Sequence, residues 1–594
     1  MGVRFNLHTY LPHQHYLQVE MEVHPKKKET LLSIPTWSPG SYKIRDYAKS
    51  IHKIRLEDPK ADWTLEQIDL DTWKVNSKGQ PFKVSYLVYG YEHTVRTNYF
   101  TDEFLLLHPP GTFLYPRDGL DSEVEVSWKS LSPFHHCYTG LRKKENAKHT
   151  WKAKNFDELF DTPILLTNEK SLDFESGSCK FELVVLGNVS VSDKKRLLAD
   201  LSRVVDTQIR LMGGTENRYY LFVLDMTEST YGGLEHMNSS INQFDPIGAF
   251  NGENYRTLLE LLSHEYFHHW NVKRIRPIAL GPFDYQKPNL TKELWIAEGI
   301  TSFFDAYFLL LCGIYNPQQY LNKIWKDVRE LEDSEGESWM SLEESSFTAW
   351  TKYYNRPSDP NFANTGVSYY TKGAILALSL QLRIFSDTGG DKSLLNVMRE
   401  LYEGYYLGKG RGFTKAEFFQ SVKKASGLDL KLEFDPFISQ PTRIPVEKYL
   451  SMIGIERSPS KQKLETGFRV KEEKGRLVFN KINLSKSIRE TDLNVGDEWI
   501  AVDGVRVLPG NFKDILKKYR PGQKAEFLVA RRGSISKRKV KFDQKPSACE
   551  FWIDEKAERR VLDLRKKFLT MDLPSEAEAK KSPKSNSSKR VKSR

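Results

Sequence analysis

Residues 264–268 read His-Glu-Tyr-Phe-His. On a helix, side chains four residues apart leave one face, so His264 and His268 can present imidazole nitrogens to a single Zn²⁺ while Glu265 lies beside the attacking water. That is the arrangement of metal-assisted hydrolysis, with Glu265 as general base. With 14 histidines among 594 residues, the pattern arises by chance in ~2% of such chains, which makes two ordinary histidines the weaker reading. A catalytic zinc takes a third protein ligand and keeps its fourth position open. Glu298, in Trp295-Ile-Ala-Glu-Gly299, is the candidate third ligand. Flanked by Ile296, Ala297, Ile300, Phe303 and Phe304, its carboxylate is costly to bury unless a cation sits beside it. A buried ion pair with a residue such as Lys273 is the alternative. His269 follows His268 directly, leaves the metal face and reads as structural.

Two further segments set polar groups beside glycines. In Tyr231-Gly-Gly-Leu-Glu-His-Met-Asn238, Gly232 and Gly233 let a backbone pass close to a bound peptide, leaving Glu235 to face a substrate. A glycine turn with an exposed Glu235 is the plainer alternative. Ser368-Tyr-Tyr-Thr-Lys-Gly373 opens a helical pattern, and a tyrosine hydroxyl there can donate to the oxyanion of a tetrahedral intermediate. Simple packing of the tyrosine pair is the competing explanation.

The elements that must position these groups follow from periodicity. Residues 254–271 form a helical pattern with a buried stripe of Leu258, Leu261, Leu262 and Tyr266, and Asn251 or Asn254 can cap it. Further helical patterns cover 291–312, 318–332 and 366–385, and strands are expected at Phe181 to Leu186 and Tyr220 to Leu224. Upstream, apolar residues recur at every second position in Leu17 to Val23, Phe82 to Val88 and Val124 to Trp128, which predicts a β-rich N-terminal region. Its Pro39-Gly40 carries turn chemistry. A polar stretch from Ile455 to Lys463 reads as a linker, short strands with one helix near Phe512 to Tyr519 follow, and a charged helix from Ile553 to Phe568 precedes a basic tail.

At 594 residues the chain is too long for one core and predicts several domains. The net charge of +11 invites a nucleic-acid reading, but seven Lys or Arg lie in the last fifteen residues, Lys580 to Arg594, in a Ser-rich tail without aromatics. Without them the charge is about +4, so no specific nucleic-acid partner is expected and the tail reads as solvated and disordered. The longest apolar run, Phe303 to Cys312, is ten residues and contains Asp305, which predicts no membrane span. Cys137, Cys179, Cys312 and Cys549 show no ligand-pair spacing, and the N-terminus lacks a cleavable export pattern; together these suit a reducing cytoplasm.

The run His264-Glu-Tyr-Phe-His-His-Trp-Asn-Val-Lys-Arg-Ile-Arg-Pro277, with Trp295–Gly299, Gly232-Gly-Leu-Glu-His236, Trp37-Ser-Pro-Gly-Ser-Tyr42 and Arg45, resembles the glycyl-aminopeptidase family of zinc metallopeptidases, family sixty-one of the gluzincin clan, which carries a C-terminal PDZ domain. The resemblance implies a thermolysin-like catalytic domain with one Zn²⁺ on His264, His268 and Glu298, and with Glu265 as base. By similarity to the clan's Gly-x-Met-Glu-Asn segment, Glu235 holds the substrate's free α-amine, although His236 stands where the clan has Asn. The clan's Tyr-x-Lys-Gly segment aligns with Tyr370-Thr-Lys-Gly373, giving Tyr370 the oxyanion role and leaving Tyr369 as runner-up. Leu493–Gly504 is similar to PDZ sequences, with Thr466-Gly467-Phe468 as the loop that would take a peptide C-terminus.

The expected architecture is therefore multi-domain α+β: a β-sandwich-like domain over 1–165, a thermolysin-like peptidase domain with a helical second half over 166–455, a PDZ-like domain over 464–545, and a charged helix with a disordered tail over 546–594. The expected activity is removal of small N-terminal residues, Gly or Ala, from peptides. A zinc endopeptidase with PDZ-mediated substrate capture would need the metal residues but not Glu235, and an inactive PDZ-bearing scaffold would need neither; an intact Glu265 weighs against the scaffold.

Overall fold

The computed structural model describes residues 2–10, 12–458, 462–483, 487–546 and 551–570. The basic tail and Cys549 lie outside the described residues. In the N-terminal region, Tyr16–Val23 buries every second side chain, as its alternation demands, and sets Val19 opposite Leu7 on one neighbour and Tyr86 on the other. These residues share a core with Phe5, Val84 and Val126 inside a seven-stranded sheet, beside two four-stranded sheets. The loop after Glu29–Ser33 leaves this core for another. Trp37 donates from its indole to the Asp284 carbonyl at 2.8 Å, and its ring meets Trp350 edge-on, so the loop is anchored in the helix-rich region.

That central region opens with a five-stranded sheet in the spatial order Leu172–Ser176, Cys179–Leu186, Tyr219–Met226, Ser239–Phe244, Tyr231–Glu235. The two predicted strands are parallel neighbours, Phe181 facing Tyr220. Parallel pairing requires a crossover, and the helix Val191–Met212 supplies it, started by the Ser190 side chain and stopped by left-handed Gly213. Tyr231–Glu235 is the edge of the sheet, antiparallel to Ser239–Phe244.

The helices that follow differ from the sequence expectation at two informative places. The helix carrying the histidines spans Gly252–Phe267 and stops short of 271, because the chain turns after His268 and the His268 carbonyl accepts from the amides of Val272 and Lys273. Asn251 stands at its N-cap, with no side-chain capping bond. The predicted helix over 291–312 is not a continuous α-helix: Trp295–Ile300 forms a π-helical turn, and Thr301–Leu311 continues as α. Gly299 in that turn lies against Gly373 of the helix Thr371–Asp387; a Cβ on Gly299 would come 2.5 Å from the Gly373 Cα.

The C-terminal module is an antiparallel sheet built around Phe468, Phe479, Trp499 and Phe527, with a short helix at Phe512–Leu516. The stretch expected to be a linker begins instead as a strand, Ile455–Arg457, paired with Phe551–Ile553. The following helix starts at Arg559 rather than near 553 and ends at Thr570. It docks rather than standing free, since Phe568 is fully buried and stacks on Tyr307, whose hydroxyl donates to the Phe568 carbonyl at 2.7 Å. Apolar burial of Leu564 and Phe568 outweighs the charge of the rest of the helix. The architecture is mixed α+β, with a β-rich N-terminal region and a helical central region. Among the described residues, no helix is long and apolar enough to cross a membrane.

The glycine contact gives the first prediction. In Gly373→Ala the added methyl would lie 2.8 Å from the Gly299 Cα and 3.1 Å from the Trp295 carbonyl. Overpacking of this kind costs about 1–3 kcal/mol, so the denaturant midpoint of the central region should fall. An unchanged midpoint would show that the two helices have room to separate.

A candidate metal centre in the central cleft

A cleft of about 420 Å³ lies between the edge strand Tyr231–Glu235 and the helices, and the residues singled out from sequence converge on it. His264, His268 and Glu298 each bring a donor atom to within 4.8 Å of the others. The Glu298 Oε2 stands 3.5 Å from His264 Nε2 and 3.2 Å from His268 Nε2. The opposite ring nitrogens are engaged: His264 Nδ1 is 3.0 Å from Asp305 Oδ2, and His268 Nδ1 is 2.5 Å from the Asn271 carbonyl. An Nδ1–H donated to these acceptors leaves each Nε2 lone pair aimed at the shared point. His268 and Glu298 are almost fully buried. Two lone-pair nitrogens and a carboxylate oxygen converging at the wall of the cleft form a donor set that suits a tetrahedral Zn²⁺ with one open position.

The π turn is what delivers Glu298. Asn271 donates from its side-chain amide to the carbonyls of Ile296 and Ala297 at 2.8 and 3.2 Å, tying the chain after His268 to the turn bearing Glu298. Asn271 is thus bonded to both halves of the donor set, through its own carbonyl and its side chain.

Glu265 is buried beside the set, with Oε2 unpartnered, and burial holds its carboxyl above the usual range. It lies against Gly233, where a Cβ would stand 2.1 Å from Oε1, so only glycine lets the edge strand pass this close. The Gly233 carbonyl also accepts from Arg96 Nη2 of the N-terminal region at 2.8 Å. Two residues further along, Glu235 does not take the exposed position of a glycine turn. It is 3% exposed, Oε1 has no partner, and its carboxylate falls within 4.8 Å of donor atoms on Glu265 and His268. Gly40 of the N-terminal loop lies over it, at φ +82° and with room for no Cβ, which would meet Glu235 Oε2 at 2.6 Å.

Tyr370 lines the cleft, its hydroxyl 3.1 Å from that of Tyr354 and its ring 6.3 Å from the His264 ring. Tyr369 is fully buried behind it. Lys372 points away, onto the Thr442 carbonyl and Glu337. The alternative partner for Glu298 is excluded, because Lys273 Nζ is 2.7 Å from Asp161 Oδ1. His269 is structural as expected, held by Thr215 and Arg274. The loop Thr466-Gly467-Phe468 is not brought to the cleft; Gly467 there has φ +71° and accepts at its carbonyl from the Asn483 amide.

Sequence reasoning missed Asp305, Asn271, Tyr42, Gly40, Arg96 and Asp161. Asp305 lies seven residues after Glu298 on the continuing helix, so helical spacing could have flagged it. Tyr42 is buried beside Glu298, and burial, followed by the charges of Glu298 and Glu235, pushes its pKa well up. Gly40 and Tyr42 stand out in the sequence only as turn chemistry and as part of the Trp37–Tyr42 run, with no site role, and nothing local marks Arg96; all three come to the site from the N-terminal region through tertiary packing.

Comparison with known proteins gives the class. The family model described as M61 glycyl aminopeptidase matches residues 257–376, and that of the M61 N-terminal domain matches residues 4–168. A crystal structure of an aminopeptidase N family protein from Idiomarina loihiensis aligns over 96% of this chain and all of its own, with a TM-score of 0.88 and 26% identity. Yeast LTA4 hydrolase aligns over 75% of this chain and 68% of its own (TM-score 0.45, 13% identity). An M1 zinc metallopeptidase from Deinococcus radiodurans aligns over 75% and 95% (TM-score 0.43, 12% identity). No curated protein sequence matches. The chain is a metallopeptidase. The two domain models and the full-length structural match support the M61 glycyl aminopeptidase family for it.

Asp305 offers a direct check on the donor set. Asp305→Ala removes the acceptor that orients His264, and loss of such a partner typically weakens metal affinity by about 10- to 100-fold. Competition with a chromophoric chelator would measure it; unchanged affinity would mean that His264 is held without Asp305.

Proposed function

We propose that the chain is a zinc-dependent aminopeptidase that hydrolyses the first peptide bond of peptides beginning with a small residue, Gly or Ala. The supporting observation is the position of Glu235, a buried carboxylate whose Oε1 has no partner, two residues along the edge strand from the glycine packed on Glu265. The preference for small residues rests on the glycyl aminopeptidase family models.

His264, His268 and Glu298 would hold the metal. Bound there, Zn²⁺ would polarise the scissile carbonyl and acidify the attacking water. Glu265 accepts the proton of that water and returns it to the leaving amine, and its burial next to acidic neighbours suits a base that must also act as an acid. Tyr370 donates to the developing oxyanion, its hydroxyl oriented by Tyr354. Glu235 accepts from the substrate ammonium, and the loop bearing Gly40 closes the cleft behind it. With the chain end fixed at Glu235, the bond presented to Glu265 is the first one.

The C-terminal module fits a PDZ-like role in this reading, with a peptide C-terminus taken at Thr466-Gly467-Phe468, where left-handed Gly467 leads into the strand Phe468–Glu473. The free thiols of Cys137, Cys179 and Cys312 agree with a reducing cytoplasm.

Two measurements test the assignment. Chelation should abolish hydrolysis and zinc restore it, while Glu265→Gln should keep its zinc and lose several orders of magnitude in kcat; a mutant of near-normal turnover would remove Glu265 from the mechanism. Free-amine peptides should be cleaved at least ~100-fold faster than N-acetylated ones, and Glu235→Ala should erase most of that preference with zinc content intact. Equal cleavage of both substrates by the wild type would replace the aminopeptidase by an endopeptidase.

A further inference from the structure

Behind Glu235 lies a second cavity, of about 390 Å³, which Glu235 shares with Asp161 and Lys273. Asp161 follows the short helix Phe156–Phe160 of the N-terminal region and reaches the central region with both carboxylate oxygens. Its Oδ1 lies 2.7 Å from Lys273 Nζ and 3.3 Å from His236 Nδ1, and its Oδ2 accepts from the Met237 amide at 2.9 Å. His236 and Met237 are the two residues after Glu235, and Lys273 lies five after His268. One carboxylate from the N-terminal region therefore joins the ends of the two segments that carry the amine site and the metal site.

Charge explains why this matters. The Lys273 side chain is largely covered, 9% exposed, and its ammonium needs an anion. Burial lowers its pKa, but attraction to Asp161 and then to Glu235 overrides this and holds it above the ordinary lysine range. Burial likewise raises the Asp161 carboxyl, and Lys273 together with His236 outweighs it, bringing it down to about 2. Lys273 thus lines one cavity with two carboxylates, is bonded to Asp161 and feels the charge of Glu235. Glu235, the other, keeps Oε1 unpartnered. The three groups sum to one negative charge, the complement of a single substrate ammonium.

We propose that Asp161 is a positioning residue for amine recognition: by holding Lys273 and the Met237 amide, it keeps Lys273 off Glu235 and leaves the Glu235 carboxylate open to the substrate's α-ammonium. The inference rests on the aminopeptidase reading. It assigns the N-terminal region a part in specificity, with the His236 imidazole also in contact with Asp161.

The test uses the zinc-loaded full chain and a glycine anilide with its amine free or acetylated. Asp161→Asn should raise KM for the free-amine substrate by about 10- to 100-fold, the effect of losing one charged contact, with kcat changed by no more than about threefold. Adding Lys273→Met to that variant should bring KM back to within about threefold of wild type, because the competing cation is gone. Rescue by a second removal is not what a merely structural role gives. If Asp161→Asn leaves KM unchanged, or the double variant is no better than the single, the proposal is overturned while the aminopeptidase reading stands. If the wild type itself does not distinguish the two substrates, that reading fails and the proposal with it. Should Asp161→Asn not fold, Lys273→Met alone decides: KM equal to or below the wild-type value supports the proposal, and a raised KM overturns it.

Discussion

Three lone pairs aimed at one point need a positive charge between them, and much of the central region is arranged around that need. The Glu298 carboxylate is buried within 3.5 Å of two imidazole nitrogens. Left unpaired, such a group would cost several kcal/mol. A structure that keeps it there is committed to a cation, and the supporting contacts show the commitment. Asp305 and the Asn271 carbonyl fix the ring orientations, while the Asn271 side chain fixes the turn that carries Glu298. The π turn follows from the same constraint, because it adds a residue to the helical repeat where Glu298 must face inward while the helix continues along its packed face.

Around the donor set, close approach is achieved by omitting side chains. Gly233 admits Glu265, Gly40 admits Glu235, and Gly299 and Gly373 admit each other; at each of these places a Cβ would fall under 3 Å from its neighbour. Gly40 and Gly233 line the cleft itself, whereas Gly299 and Gly373 set how closely the turn bearing Glu298 packs on the helix Thr371–Asp387. Only Gly40 also has a backbone that an L-residue would resist, so at Gly233, Gly299 and Gly373 the glycine is a matter of space rather than conformation.

What could be read from the sequence follows the range over which each signal acts. The histidine pair and Glu265 obey helical spacing within five residues, and Glu298 is marked by its apolar neighbours, so local chemistry sufficed to bring them forward. The alternation in Tyr16–Val23 and the parallel strands of the central sheet were legible because period and length are local properties. The end of the helix at Phe267 was not, since it is imposed by the turn that His268 and Asn271 make together. The docking of the C-terminal helix was hidden by its charge, although Leu564 and Phe568, four apart, were its apolar stripe. The environment of Glu235 lay furthest out of reach. Its exposure could be guessed either way until the loop from the N-terminal region was seen to cover it.

That covering loop bears on why the β-rich region is part of the enzyme at all. An endopeptidase cleft must let the chain run through, whereas an exopeptidase cleft must stop it at a fixed distance from the chemistry. From Glu235 to Gly233 the edge strand spans two residues, about 7 Å, and so could act as a ruler, but a ruler excludes nothing by itself. The stop has to come from a second surface. Here Gly40 lies on Glu235, Arg96 holds the carbonyl of Gly233, and Asp161 ties down the two residues after Glu235, all three from the N-terminal region. In the aminopeptidase reading, the central region alone would supply a metal, a base and an open groove. The specificity for a chain end then arises at the interface, and a loss of N-terminal contacts would change which bond is cut before it changed whether a bond is cut.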